Sequence, residues 1–125
     1  MAHSLVSVID DDVSVRESLP DLLRMLGYDA EAFASADEFL ASGSVGQTDC
    51  LLLDIAMPGM SGPDLQSELT LKGQDIPIIY ITGCGDTTTR VRMLKNGAAE
   101  CLYKPFSDGA LVKALNSVFG KRNNS

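Results

Sequence analysis

Apolar and polar positions along the chain switch repeatedly between two periods. Leu5-Val6-Ser7-Val8-Ile9 is a short apolar run that ends in three aspartates. Val15, Leu19, Leu22, Leu23 and Leu26 then recur at i, i+4, i+7, i+8 and i+11, the spacing of one helix face. Gly27 stands where a helix ends on a C′ glycine. Pro20, inside that helix, removes a backbone bond and predicts a kink. Residues 28–33 predict a second, less regular strand. Residues 35–42 predict a short helix that opens on a serine cap, with Glu38 three residues on. Cys50-Leu51-Leu52-Leu53 has no polar alternation, as a strand covered on both faces requires, and ends at Asp54. Met57-Pro58-Gly59-Met60-Ser61-Gly62 reads as a loop, with Pro63 at the first position of the next helix. Residues 76–81 predict a fourth strand ending at Thr82, and a helix follows over about 86–96. Residues Glu100–Tyr103 predict a fifth strand, ending at Lys104-Pro105. The last helix carries Leu111, Val112, Leu115, Val118 and Phe119 on one side.

Strands alternating with helices imply right-handed βαβ units and a parallel sheet with helices on both faces. The expected fold is α/β, a single doubly wound (βα)₅ domain over residues 1–121, with 122–125 as a polar tail or the start of a linker. A length of 125 residues allows one core and not two. With 45% apolar and 22% charged residues the composition is that of an ordinary globular protein. No apolar run reaches the roughly 18–20 residues of a membrane span, and no basic segment followed by an apolar stretch marks a signal peptide. The three cysteines, Cys50, Cys84 and Cys101, are odd in number and lie in apolar surroundings. They read as small core residues in a reducing cytoplasm rather than a disulfide framework. A net charge of −7 without a basic stripe argues against direct nucleic-acid binding.

The candidate chemistry lies at the strand ends. Strands one, three, four and five end in Asp10-Asp11-Asp12, Asp54, Thr82 and Lys104. In an open parallel sheet, ligands bind outside the carboxyl ends of the strands, near the switch in strand order. Carboxylates, a hydroxyl and an ammonium therefore converge on one edge. Asp10, Asp11 and Asp54 packed together repel one another unless a cation sits between them, and hard oxygen ligands favour Mg²⁺. A carboxylate in such a site is suited to attack phosphorus and form an aspartyl phosphate. Mg²⁺, Lys104 and the Thr82 hydroxyl are the right types to neutralise phosphoryl oxygens.

These residues, with the D-x-x-M-P-x-M-S-G loop opened by Asp54, Ile81-Thr82-Gly83 and Tyr103-Lys104-Pro105-Phe106, resemble the response-regulator receiver family over essentially the whole chain. The stretch Ile81-Thr82-Gly83-Cys84-Gly85-Asp86 is similar to the FixJ-like branch, whose members usually carry a C-terminal helix-turn-helix. The resemblance implies a flavodoxin-like sheet of order 2-1-3-4-5 and phosphoryl transfer from a histidine kinase to Asp54. It implies that Asp11 binds Mg²⁺ directly, that Asp10 acts through a water, and that the Ala56 carbonyl completes the set with Asp54. It further implies a cis Lys104–Pro105 peptide, kinase docking near helix one, and a phosphorylation-dependent homodimer through helix four, strand five and helix five. One departure stands out. Three residues before the lysine, where the family usually has Tyr or Phe, this chain has Cys101, so the switch is expected in the loop over residues 83–89.

Other readings exist for the same residues. An acidic triplet before a helix serves as a cap, and Asp12 is assigned that role. Asp10-Asp11-Asp12-Val13-Ser14 also fits D-x-D-x-S, a pattern resembling haloacid-dehalogenase phosphatases, with Asp10 as the nucleophile. That reading leaves the Asp54 loop unexplained. A flavin carrier shares the topology, but the loop after strand one lacks a Ser/Thr/Gly run to cradle phosphate. A degenerate docking-only receiver would not need its acceptor, acids, threonine and lysine intact.

Overall fold

The computed structural model describes residues 3–83 and 87–123. Five parallel strands, β1 (Leu5–Ile9), β2 (Asp29–Phe33), β3 (Cys50–Asp54), β4 (Ile78–Thr82) and β5 (Glu100–Tyr103), form one sheet in the order β2-β1-β3-β4-β5. Between and after them run α1 (Val13–Met25), α2 (Ala36–Ala41), α3 (Gly62–Leu71), α4 (Thr87–Lys95) and α5 (Asp108–Asn123), with a short 3₁₀ turn at Val45–Gln47. The (βα)₅ pattern and the strand order are as expected. Among the described residues, no helix is long and apolar enough to cross a membrane.

The helices cover both faces of the sheet. Leu19 and Leu23 of α1, with Leu111, Leu115 and Phe119 of α5, pack on Val6, Val8, Leu52, Ile79 and Ile81. On the opposite face Phe39, Leu65, Leu69 and Met93, from α2, α3 and α4, cover Leu51, Leu53, Ile78, Tyr80 and Cys101. Every residue of β3 and β4 is buried, which is why their sequences show no alternation. α1 ends as its periodicity predicts. Gly27 takes φ 100°, its amide bonds Arg24 O, and the Tyr28 amide reaches back to Leu23 O at 3.0 Å. That bond draws Tyr28 into the helix cap, so β2 begins at Asp29.

Other element ends also differ from the sequence pattern. β4 begins at Ile78 rather than residue 76, because Pro77 has no amide hydrogen and offers the ladder only its carbonyl, which Leu51 N–H reaches at 2.9 Å. Pro63 is the second residue of α3, not the first. The cap is Ser61, whose hydroxyl accepts from Asp64 N–H while the Asp64 carboxylate accepts from Ser61 N–H. α5 continues through Asn123, past residue 121 where the domain was expected to end; residues 124–125 lie outside the described residues. The 3₁₀ turn at Val45–Gln47 carries no periodic apolar signal. It is held by Thr48, whose hydroxyl bonds Ser44 O and meets the buried Ser7 hydroxyl at 2.8 Å.

Candidate functional site

β1 and β3 are neighbours in the sheet although α1, β2 and α2 separate them in sequence. The crossovers leave them on opposite sides, so a cleft opens beyond their carboxyl ends. Asp10 follows β1 and is fully buried. Its amide donates to Phe33 O at 3.1 Å, its Oδ1 accepts from Asp12 N–H at 2.9 Å, and its carbonyl accepts from Arg16 Nη1 at 3.0 Å. Its Oδ2 touches Lys104 Nζ at 2.7 Å as an ion pair, without the alignment of a hydrogen bond. Asp54, the last residue of β3, is 6% exposed. Its Oδ2 lies 3.8 Å from Lys104 Nζ, and its Oδ1 accepts from Ala56 N–H at 3.3 Å.

Burial raises the Asp54 carboxyl, and the charge of Asp10 raises it further. Lys104 and the Ala56 amide pull the other way, and the result is about 7. Burial works against the Lys104 ammonium too, but its contacts with Asp10, Asp54 and Asp12 outweigh that and leave it raised. Asp12 stands apart. It caps α1, accepting from the Ser14 hydroxyl and amide at 2.8 and 2.9 Å, and these bonds lower its pKa. The capping reading therefore holds for Asp12 and not for its two neighbours.

Asp10, Asp11 and Asp54 each offer a carboxylate oxygen, and the three atoms lie within 4.8 Å of one another. Two of these residues are buried and Asp11 is exposed. All the donors are hard oxygens, and Asp10 Oδ2 is buried without a hydrogen bond. Such a set fits a small divalent cation such as Mg²⁺, with room for waters on the Asp11 side.

The fold thus brings Asp10, Asp11, Asp54 and Lys104 together. Ala56 lies two residues after Asp54, at the start of the loop, and its amide donates to the Asp54 carboxylate. Thr82 ends β4, 4% exposed, one residue beyond the register partner of Asp54, and its carbonyl accepts the Lys104 amide at 2.8 Å. Lys104–Pro105 is cis. Cys101 is buried against Met93 and Ala98, and burial raises its thiol. Residues 84–86, in the loop expected to carry the switch, lie outside the described residues, as does Cys84.

Two residues at the site carry no signal in the apolar pattern. Arg16 reaches back from α1 to the Asp10 carbonyl; a basic residue soon after an acidic triplet was the available hint. Gly62 opens α3, where a Cβ would stand 2.6 Å from Asp54 O and 2.8 Å from Tyr80 Cε1. Beside the pocket a groove of about 590 Å³ runs between α1 and the β5–α5 loop, lined among others by Val15, Leu22, Met25, Lys104 and Phe106.

Residues 6–116 match the family model of the response regulator receiver domain. Nodulation protein W of Bradyrhizobium diazoefficiens is 46% identical over 112 residues, covering 90% of this chain and 49% of that protein. The transcriptional regulatory protein FixJ of Azorhizobium caulinodans is 42% identical over 122 residues, 97% of this chain and 58% of that one. The solved response regulator StyR superposes with a TM-score of 0.85 at 44% identity, covering 98% of this chain and 64% of StyR. The chain spans about half the length of the curated relatives it matches.

Proposed function

This chain belongs to the response regulator receiver domain family, and on that premise we propose that Asp54 accepts a phosphoryl group from a sensor histidine kinase in the cytoplasm, with Asp10, Asp11, Asp54 and the Ala56 carbonyl holding Mg²⁺. The observation that carries the assignment is the placement of Asp54. It ends a wholly buried strand, opposite a buried aspartate and within 3.8 Å of Lys104. Asp10 is held on every side by Lys104, Asp12, Phe33 and Arg16, which suits a ligand better than a nucleophile.

In the transfer an Asp54 carboxylate oxygen forms the new bond to phosphorus as the phosphohistidine P–N bond breaks. The electron pair of that bond returns to the imidazole. Asp54 must be deprotonated to attack; burial and Asp10 hold its carboxyl up at about 7, and Lys104 pulls it back towards the charged form. Lys104 stands ready to meet phosphoryl oxygens, and Thr82 at the neighbouring strand end supplies a hydroxyl donor. Bound Mg²⁺ supplies further positive charge against the same oxygens. Attack by water on the acyl phosphate returns Asp54 and inorganic phosphate, so the domain catalyses its own loading and reset.

The groove beside α1, with Met25 83% exposed at its edge, is suited to a kinase helix. Val91 and Leu94, exposed on α4, suit the phosphorylation-dependent homodimer. The regulatory relatives point to transcription as the output.

Incubation with an acyl-phosphate donor and Mg²⁺, followed by mass spectrometry, tests the assignment. A single acid-labile phosphate on Asp54, absent from Asp54→Asn, is expected. Phosphate on Asp10 would instead favour the phosphatase reading.

A further inference from the structure

Arg16 is the fourth residue of α1 and lies within reach of the helix's positive end. That end favours acids over bases, yet the first turn of α1 contains no acid. Asp10, Asp11 and Asp12 precede Arg16 in sequence, but among the described residues it has no carboxylate within ion-pair distance. Its guanidinium turns back instead and donates through Nη1 to the main-chain carbonyl of Asp10 at 3.0 Å.

Asp10 is held through both its backbone and its side chain. Its amide is bound to the end of β2, one carboxylate oxygen to the Asp12 amide and the other to Lys104. Arg16 supplies the partner for its remaining polar group. A residue held at four points can rotate only if all four yield, and the direction of its carboxylate depends on the turn that carries it. Asp11 is the next residue on that turn and is exposed.

We propose that Arg16 is a positioning residue for the acid pocket: by holding the Asp10 carbonyl it fixes the β1–α1 turn and so aims the Asp10 and Asp11 carboxylates. The planar guanidinium is suited to this, because it offers several donors in a fixed plane. The inference rests on the Mg²⁺ reading only for its effect on metal affinity; the restraint of the turn stands apart from it. A charge-only role predicts the opposite sign. Deleting a cation beside three carboxylates should tighten Mg²⁺ binding, whereas loosening the turn should weaken it.

Arg16→Ala and Arg16→Lys, with wild type, are titrated with Mg²⁺ by calorimetry, and exchange of the Asp12 amide is followed by NMR in the presence of a chelator. That amide bonds Asp10 Oδ1 and reports on the turn directly. Arg16→Ala should bind Mg²⁺ about tenfold more weakly, the low end for loss of a group that orients ligands. Its Asp12 amide should exchange several-fold faster, and Arg16→Lys should recover part of both losses. Unchanged or tighter Mg²⁺ binding in a folded Arg16→Ala, or unchanged Asp12 exchange, overturns the proposal. If Arg16→Ala does not fold, Arg16→Lys is judged by the same amide. If wild type itself binds no Mg²⁺, the metal reading fails, and the Asp12 exchange alone decides the role of Arg16.

Discussion

Lys104 Nζ lies 2.7 Å from Asp10 Oδ2 but 3.8 Å from Asp54 Oδ2, so its ammonium leans on the fully buried Asp10 rather than on Asp54. Asp54 nonetheless feels its charge, which opposes the upward push of burial and of Asp10. Replacing Lys104 by alanine should therefore move the Asp54 titration up from about 7, as read from its carboxyl carbon shift against pH. Phosphorylation by a small acyl phosphate should slow by about 10²-fold, the loss typical of removing a group that meets developing charge. An Asp54 titration that stays in place would show that Lys104 is screened from Asp54.

The raised carboxyl of Asp54 makes stability depend on pH. Its folded pKa of about 7 lies above the ordinary 3.8, so folding favours the protonated form. The resulting stabilisation is fully present below pH 3.8 and is lost as pH rises through about 7. Asp54→Asn abolishes that term and should be more stable than wild type at pH 8 by roughly 1–2 kcal/mol, after allowance for solvent screening. Urea unfolding in a chelator at pH 5 and pH 8 measures it. Equal pH dependence in the two proteins would contradict the shift.

Gly62 tolerates no side chain. A Cβ there would lie 2.6 Å from the Asp54 carbonyl, a backbone atom that cannot swing aside, and 2.8 Å from the ring of the fully buried Tyr80. Gly62→Ala should destabilise the domain by about 1–3 kcal/mol, the usual cost of overpacking, and slow Asp54 labelling by displacing its loop. Gly109→Ala is the control. Its Cβ would meet only Ser107 Oγ at 3.8 Å, so stability should hold or rise in the same urea assay.

The alternation of strands and helices was legible because each element buries a full face or stripe, and the period of apolar residues follows directly from that burial. β3 illustrates this, since Leu51 and Leu53 cover one face of the sheet and Leu52 the other. The gathering of Asp10, Asp11, Asp54 and Lys104 was legible for a topological reason. Parallel strands joined by right-handed crossovers must all end at the same edge, so residues that follow strands become neighbours wherever they stand in sequence.

The chain's own pattern thus determined the five βα units, the edge where the chemistry sits and the residue types gathered there. Tertiary structure alone decided that Lys104 leans on Asp10, that Arg16 spends its guanidinium on a main-chain carbonyl, and that Gly62 lies against Asp54 and Tyr80. The division is physical. Burial periodicity is a property of single segments and survives in sequence. Partner choice, over differences of about an ångström, is settled only when segments from distant parts of the chain are packed together.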